Sequence, residues 1–266
     1  MEVAQKLKEK KGFEKSVTKR RSGIVEIKVK IKDEETSKKL EREKGCYVSF
    51  SFSDLLYFDI VAKENLTSLL KQSIKSFVKD MKISAKKILV VGLGNEKFAC
   101  DSLGKRVTER VLITKPYLER ELLTCKKVKE IYAVSLGVYG TTGIETSKTI
   151  KSLCKVLNPD LVIAIDSLVA SQDENLAKSI QISDTKLQPG GGVGNNREEV
   201  SENSIGVKVL AVGVPLVVNL KGKNSDFIVT PKDVEMKVSV LSKIIAKAIN
   251  LSFCSLTEKE YLELTA

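Results

Sequence analysis

The stretch "PDLVIAIDSLVAS", residues 159–171, enters from a proline, runs through an apolar core and leaves by way of an aspartate, Asp166. The run is continuous rather than alternating, which is the pattern of a strand buried on both faces. Similar strands flank it: "KILVVGLG" (87–94), "EIYAVSLG" (130–137), the shorter "SIQISDT" (179–185) and "KVLAVGVPLVVNL" (208–220). Helical patterns alternate with them. "NLTSLLKQSIKSFVKDM" (65–81) places Leu69, Leu70, Ile74, Phe77 and Val78 at helical spacing, with Asn65 as a plausible N-cap. "DSLGKRVTERVLI" (101–113) and "GIETSKTIKSLCKVL" (143–157) read as helices. "TPKDVEMKVSVLSKIIAKAINLSF" (230–253) reads as a long one, opened by a Thr-Pro cap pair. This rhythm predicts an α/β protein of three layers, a largely parallel twisted sheet between helices. Upstream, "GIVEIKVKI" (23–31) and "CYVSFSF" (46–52) alternate like half-buried strands, and residues 1–22 read as a charged helix or loose arm. Residues 1–82 therefore form a segment packing on an α/β domain of residues 83–266, the two making one continuous unit.

The chain has 266 residues, 42% hydrophobic and 30% charged, enough for a real core without disulfide staples. The N-terminus is charged and has no apolar signal region. The most apolar stretch is too short and is broken by Pro215, so no membrane span and a cytoplasmic location are expected. The cysteines, at positions 46, 100, 125, 154 and 254, are scattered and form no CxxC, which reads as packing in a reduced compartment. The net charge of +11 comes mainly from lysine without interleaved aromatics. That is a solvated surface rather than a nucleic-acid interface. The chain contains no histidine. This excludes Ser-His-Asp and Cys-His catalysis within the chain and every histidine-held metal, so hydrolytic chemistry must rest on carboxylates, lysine, an unassisted nucleophile or a carboxylate-held ion.

"VVGLGN" invites a dinucleotide reading, but Lys97 stands where the third glycine of GxGxxG would be. The Gly104–Lys105 pair fails the Walker pattern, with Ala99 and Arg106 at the other required positions. No nucleotide cofactor and no metal are expected. In an open parallel sheet, ligands bind beyond the carboxyl ends of the strands. Asp101 and Asp166 both leave such ends and can face each other across a crevice. Taken singly, each reads as a cap or turn residue; as a pair they would split their pKa values, one carboxylate acting as base and one as acid. Asp184, in "QISDT", is a third acid at a strand end, more in the manner of a turn residue. "PGGGVGNNRE" supplies Gly190, Gly192, Gly194 and Asn195 in a loop whose amides are free to meet an anion or a peptide carbonyl, with a plain turn as the equal alternative. "YGTTGIET" adds Gly140, Thr142, Gly143 and Glu145 at a turn and helix start, where amides bind carbonyl oxygen or carboxylate.

Taken in order, "VVGLGN" with "DSLG", "GVYGTTGIET", "NPDLVIAIDSL", "IQISDTKLQPGGGVGNNREEVS", "GVKVLAVGVPLVV" and "IVTPKDVEMKVSVLSKIIAKAIN" make the chain resemble the germination proteases of spore-forming bacteria. The resemblance is clear from Lys87 to Asn250. It implies a fold like that of hydrogenase-maturation endopeptidases and an atypical aspartic-type endopeptidase with Asp101 and Asp166 as its catalytic acids. It further implies action on small acid-soluble spore proteins in the spore core at germination, no cofactor, and a homo-oligomer, by resemblance a tetramer. The sequence departs from the family pattern at Ser171, where an arginine is usual. It lacks the usual histidines and has only "NLKGKNSDFI" between the "GVPLVV" strand and "VTPKD". The N-terminus lacks the segment associated with zymogen processing, so that property does not carry over. Two alternatives remain on sequence grounds: a metal-dependent maturation-type peptidase of the same fold, and a degenerate member that binds protein without cutting it.

Overall fold

The computed structural model describes residues 12–121, 128–190, 197–221, 226–256 and 264. Among these residues, nine strands form a single sheet: β1 (Phe13–Lys19), β2 (Val25–Ile31), β3 (Gly45–Ser51), β4 (Lys87–Gly92), β5 (Glu130–Ser135), β6 (Leu161–Ala170), β7 (Ser179–Ser183), β8 (Lys208–Lys221) and β9 (Asp226–Val229). Their spatial order is β1-β2-β3-β7-β8-β6-β4-β5, with β9 paired to the end of β8. The helices are α1 (Glu34–Leu40), α2 (Ile60–Asp80), α3 (Leu103–Thr108), α4 (Lys115–Glu119), α5 (Tyr139–Thr142), α6 (Thr146–Leu157), α7 (Glu202–Ile205) and α8 (Val234–Phe253).

The centre of the sheet is parallel: β5 to β4, β4 to β6 and β6 to β8. These strands carry the continuous apolar runs, because both of their faces are covered. Ile88, Val90, Ile163, Ile165, Val212 and Val214 pack toward α2, α3 and α8. The alternate residues Leu89, Val91, Val162, Ala164 and Val209 pack toward Ile150 and Cys154 of α6. The chain is therefore a three-layer α/β fold. Each fully buried Leu, Ile or Val contributes about 1.5–3 kcal/mol, and the two faces together supply the bulk of the core.

Outside this centre the sheet is antiparallel. β7 runs against β8, β3 against β7, and β2 and β1 follow as antiparallel neighbours. The N-terminal strands thus extend the same sheet across residue 82. Within residues 1–22, where the sequence suggests a helix or arm, Phe13–Lys19 is a strand. Only Phe13 of this strand is buried, so an edge strand carrying lysines offers no apolar period to read. The helix expected to start at Asn65 begins a turn and a half earlier. Asp59 caps it by accepting from the amides of Val61 (2.8 Å) and Ala62 (3.1 Å). The Thr-Pro pair does not open α8, which starts at Val234; the Thr230 hydroxyl instead donates to the Leu216 carbonyl at 2.9 Å.

Pro215 lies inside β8 rather than ending it. It pairs with Leu168 where the β6–β8 register shifts between Leu168 and Val169. A proline lacks the amide a ladder needs, and a bulge is where a strand tolerates that loss.

Candidate active site: two acids at the end of the parallel strands

β4 ends at Gly92 between β5 and β6, and the chain continues along its neighbour for one more bond, Leu93 N donating to Ile165 O at 2.8 Å. It then turns through Gly94 and returns to Asp101, whose Oδ2 accepts from the Asn95 amide at 2.7 Å. Three glycines permit this return. A Cβ on Gly92 would lie 2.2 Å from Gly104 O, and one on Gly104 would lie 2.3 Å from Leu93 O. Gly94 has φ +115°, and a Cβ there would lie 2.1 Å from Asp101 O. The glycines that suggest a dinucleotide site are thus consumed in seating α3 against β4 and closing the turn on Asp101. Asp101 does not cap the following helix. Its carboxylate reaches back to the loop between β4 and itself.

Asp166 lies within β6, four residues before its end, and is 6% exposed. The amide of Ser167 donates to its Oδ1 at 2.9 Å. Neither a helix cap nor a turn accounts for this acid, since the strand continues past it. Ser167 itself turns to the opposite face, and its hydroxyl is buried with no partner among the described residues, a cost of about 1–3 kcal/mol.

Burial pushes the Asp166 carboxyl up to about 8, the negative charge of Asp101 adds to the rise, and the Ser167 amide opposes it. Burial also raises Asp101, while the Asn95 amide pulls it back toward the ordinary range. Asp101 is half-buried and keeps some access to water, so it ionises first, while Asp166 is still neutral. Asp166 must then lose its proton beside an existing charge. The pair therefore gives up its two protons in separate steps, Asp101 before Asp166.

The other candidate residues fall in two places. Gly140, Thr142, Gly143 and Glu145 leave the carboxyl end of β5, at the same sheet edge. The turn uses its own amides: Thr141 and Thr142 donate to Val138 O, Gly143 to Tyr139 O and Ile144 to the Thr142 hydroxyl. Glu145 pairs with Arg197 at 3.6 Å, and the Arg197 guanidinium lies 4.1 Å above the Tyr139 ring. The Ser147 hydroxyl donates to Glu198 at 2.7 Å. These contacts lock the β5–α6 connection to the chain that follows the glycine-rich stretch. Gly190 has φ +68° at the entrance to that stretch, whereas Gly192, Gly194 and Asn195 lie outside the described residues.

Asp184 does not join the pair. β7 is antiparallel to β8, so its carboxyl end points toward the opposite edge of the sheet from Asp166. Ser183 pairs with Ala211 and Asp166 with Gly213, which leaves Asp184 about 10 Å back along the strands. Its Oδ1 accepts from the Cys46 amide at 2.7 Å, a hydrogen bond that ties β7 to β3. Among the described residues no group of three or more Cys, Asp or Glu is placed to hold a metal ion, and no helix is long and apolar enough to cross a membrane.

Asp101, in the loop that leaves β4, and Asp166, inside β6, lie close enough for the charge of one to act on the other. Residues 1–228 match the family model described as Germination protease. The germination protease of Clostridium tetani is 30% identical over 90% of this chain and 88% of its own length. That of Caldanaerobacter subterraneus subsp. tengcongensis is 32% identical over 91% and 89%. Among solved structures, the NiFe hydrogenase maturation protease HycI of Thermococcus kodakarensis KOD1 aligns with 65% of this chain and 98% of its own. The identity there is 17% and the TM-score 0.38. The chain belongs to the germination protease family and is a hydrolase of the peptidase class.

Proposed function

We propose that the protein is an endopeptidase that begins the breakdown of small acid-soluble spore proteins in the germinating spore, with Asp101 and Asp166 as its catalytic acids. The observation that carries the mechanism is the unequal environment of the pair: Asp166 is buried and Asp101 is partly open to water. Asp101 takes a proton from a water as the water oxygen attacks the scissile carbonyl carbon. Asp166 gives its proton to the departing amide nitrogen as the C–N bond breaks. The protons end on opposite partners, and exchange with solvent restores the starting state. Incubating the purified chain with a small acid-soluble spore protein and following fragments by mass spectrometry tests the activity. No cleavage under any condition at which the protein is folded would remove the proposal.

The same arrangement sets the pH dependence. Turnover rises as Asp101 ionises at the acid limb and falls as Asp166 loses its proton, around pH 8. A pH profile of kcat/KM measures both limbs. A rate that keeps climbing through pH 9 and 10 contradicts Asp166 as the acid.

A homo-oligomer belongs to the same proposal. Leu55 and Phe58, just before α2, and Ile60 and Val61, in its first turn, are 75%, 77%, 73% and 65% exposed. Such a run of large apolar groups is what an interface between subunits covers. Light scattering should give a mass above that of one 29.3 kDa chain, and Phe58→Asp should lower it. A monomeric wild-type protein at micromolar concentration counts against this assembly.

A further inference from the structure

A groove of about 620 Å³ opens on one face of the sheet, and its floor is β8, β7 and β3. Strand register fixes its relation to the acid pair. Asp166 pairs with Gly213, Gly213 with Gln181, and Gln181 with Ser49. Ala164, Ala211, Ser183 and Tyr47 form the adjacent row. Residues paired across strands point to the same face, so the groove floor is the face on which Asp166 lies.

Two covers leave this face open between them. α1 covers β1–β3 through Leu40, against Val29 and Tyr47. α6 covers β4 and β6 through Ile150 and Cys154. The gap floor is built of small or uncharged polar residues, Gly213, Ala211, Gln181 and Ser183. Gly213 has a particular part: a Cβ there would lie 2.5 Å from the Leu168 side chain, so glycine lets Leu168 lie down on the sheet as one wall.

We propose that this groove is the substrate channel of the peptidase, holding one extended segment of the substrate on one side of the scissile bond. The inference rests on the acid-pair reading of the site. Continuity identifies the occupant, since the floor begins at the register partner of Asp166 and runs away from it across the strands. Asp166 is too deeply buried for a helix or a folded surface to bring a peptide bond to it, so the segment must be a single extended chain. Three strand spacings of about 4.8 Å give a path of about 14 Å, room for about four residues at roughly 3.3 Å each. A sheet face offers side chains rather than backbone edges. Gln181, Ser183 and Tyr47 would therefore meet the peptide groups of the substrate, and the residues over Gly213 and Ala211 would meet no charge on the floor.

The test uses the full chain and a peptide spanning the cleavage point of a small acid-soluble spore protein. Ser183 is half-exposed on the floor, so Ser183→Trp fills the groove without entering the core. It should raise KM about tenfold or more, with the pH limbs of the acid pair and the melting temperature unmoved. Ser68→Trp, on the exposed side of α2, is the control and should change neither. A photo-crosslinking side chain at Arg42, on the far rim, should capture the peptide in the Asp166→Asn protein about four residues from the scissile bond. If the wild type cleaves but Ser183→Trp leaves KM unchanged, or the Arg42 crosslink is absent, the groove assignment is overturned and the acid pair stands. If the wild type does not cleave at all while the crosslink forms, the acid-pair reading fails and the groove survives as a peptide site.

Discussion

Asp166→Asn is expected to lower kcat by about 10²–10⁴-fold while leaving KM for the spore-protein peptide near its wild-type value. Asparagine keeps the shape and can still accept from the Ser167 amide, but it cannot hand a proton to the leaving nitrogen. The same substitution should raise stability at alkaline pH. In the folded chain Asp166 holds its proton to about pH 8, whereas in the unfolded chain it releases it in the ordinary carboxylate range. Between those values the folded state binds more protons than the unfolded state, so wild-type stability falls as pH rises through that window. Asparagine carries no such penalty. The melting temperature of Asp166→Asn relative to wild type should therefore increase from pH 5 to pH 8. Asp101→Asn should lose turnover comparably, and it should also pull the Asp166 titration downward by removing the neighbouring charge. An inactive variant that is more stable than its parent separates lost chemistry from lost folding. Undiminished turnover in both variants would sink the mechanism.

The parts of the fold legible in the sequence are those where one physical signal dominates. β4, β6 and β8 are buried on both faces, and their unbroken apolar runs announce it. Asp166 stands out because an acid at the end of such a run has no apolar reason to be there. The antiparallel flank was not legible in the same way. "SIQIS" has the composition of any short buried strand, and nothing in it states direction. The expectation that Asp184 ends a strand at the same edge as Asp101 and Asp166 depended on a parallel β7. The extent of β6 was hidden for a related reason: Asp166 reads as a strand's last residue, yet the register with β8 carries the strand on to Ala170, past a bulge in β8 next to Pro215. The groove floor was invisible because its residues, Gly213, Gln181, Ser183 and Tyr47, come from three separate strands. Only cross-strand register brings them into rows beside Asp166. The glycines of "VVGLGN" and "DSLG" were visible, but their reason was not. Pattern reading tests them against phosphate loops, whereas the structure spends them on contact between α3 and β4.

That contact supports a second large effect, at a residue that need not touch substrate. Gly104→Ala places a methyl group 2.3 Å from Leu93 O and 2.4 Å from Leu93 N. Both are backbone atoms of a fully buried segment, so the strand cannot yield and α3 must move outward. Overpacking of this kind costs about 1–3 kcal/mol of stability. The larger consequence is positional. Asp101 sits three residues before Gly104 in the turn that leads into α3, and it reaches the Asn95 amide only because that turn is closed. Displacing α3 by about 1 Å shifts Asp101 relative to Asp166, and a misplacement of that size lowers turnover by about 10²-fold. The expected pattern is a fall in kcat with little change in KM, since the substrate groove lies on the far side of β6 from α3. Gly206→Ala provides the comparison. Gly206 closes α7 at φ +79°, and a methyl group added there would meet no atom within 4 Å, so its alanine variant loses stability by backbone strain alone. Matched losses of melting temperature with unequal losses of kcat would show that Gly104 acts by holding Asp101 in place. Equal losses of kcat in the two variants would reduce its role to ordinary packing.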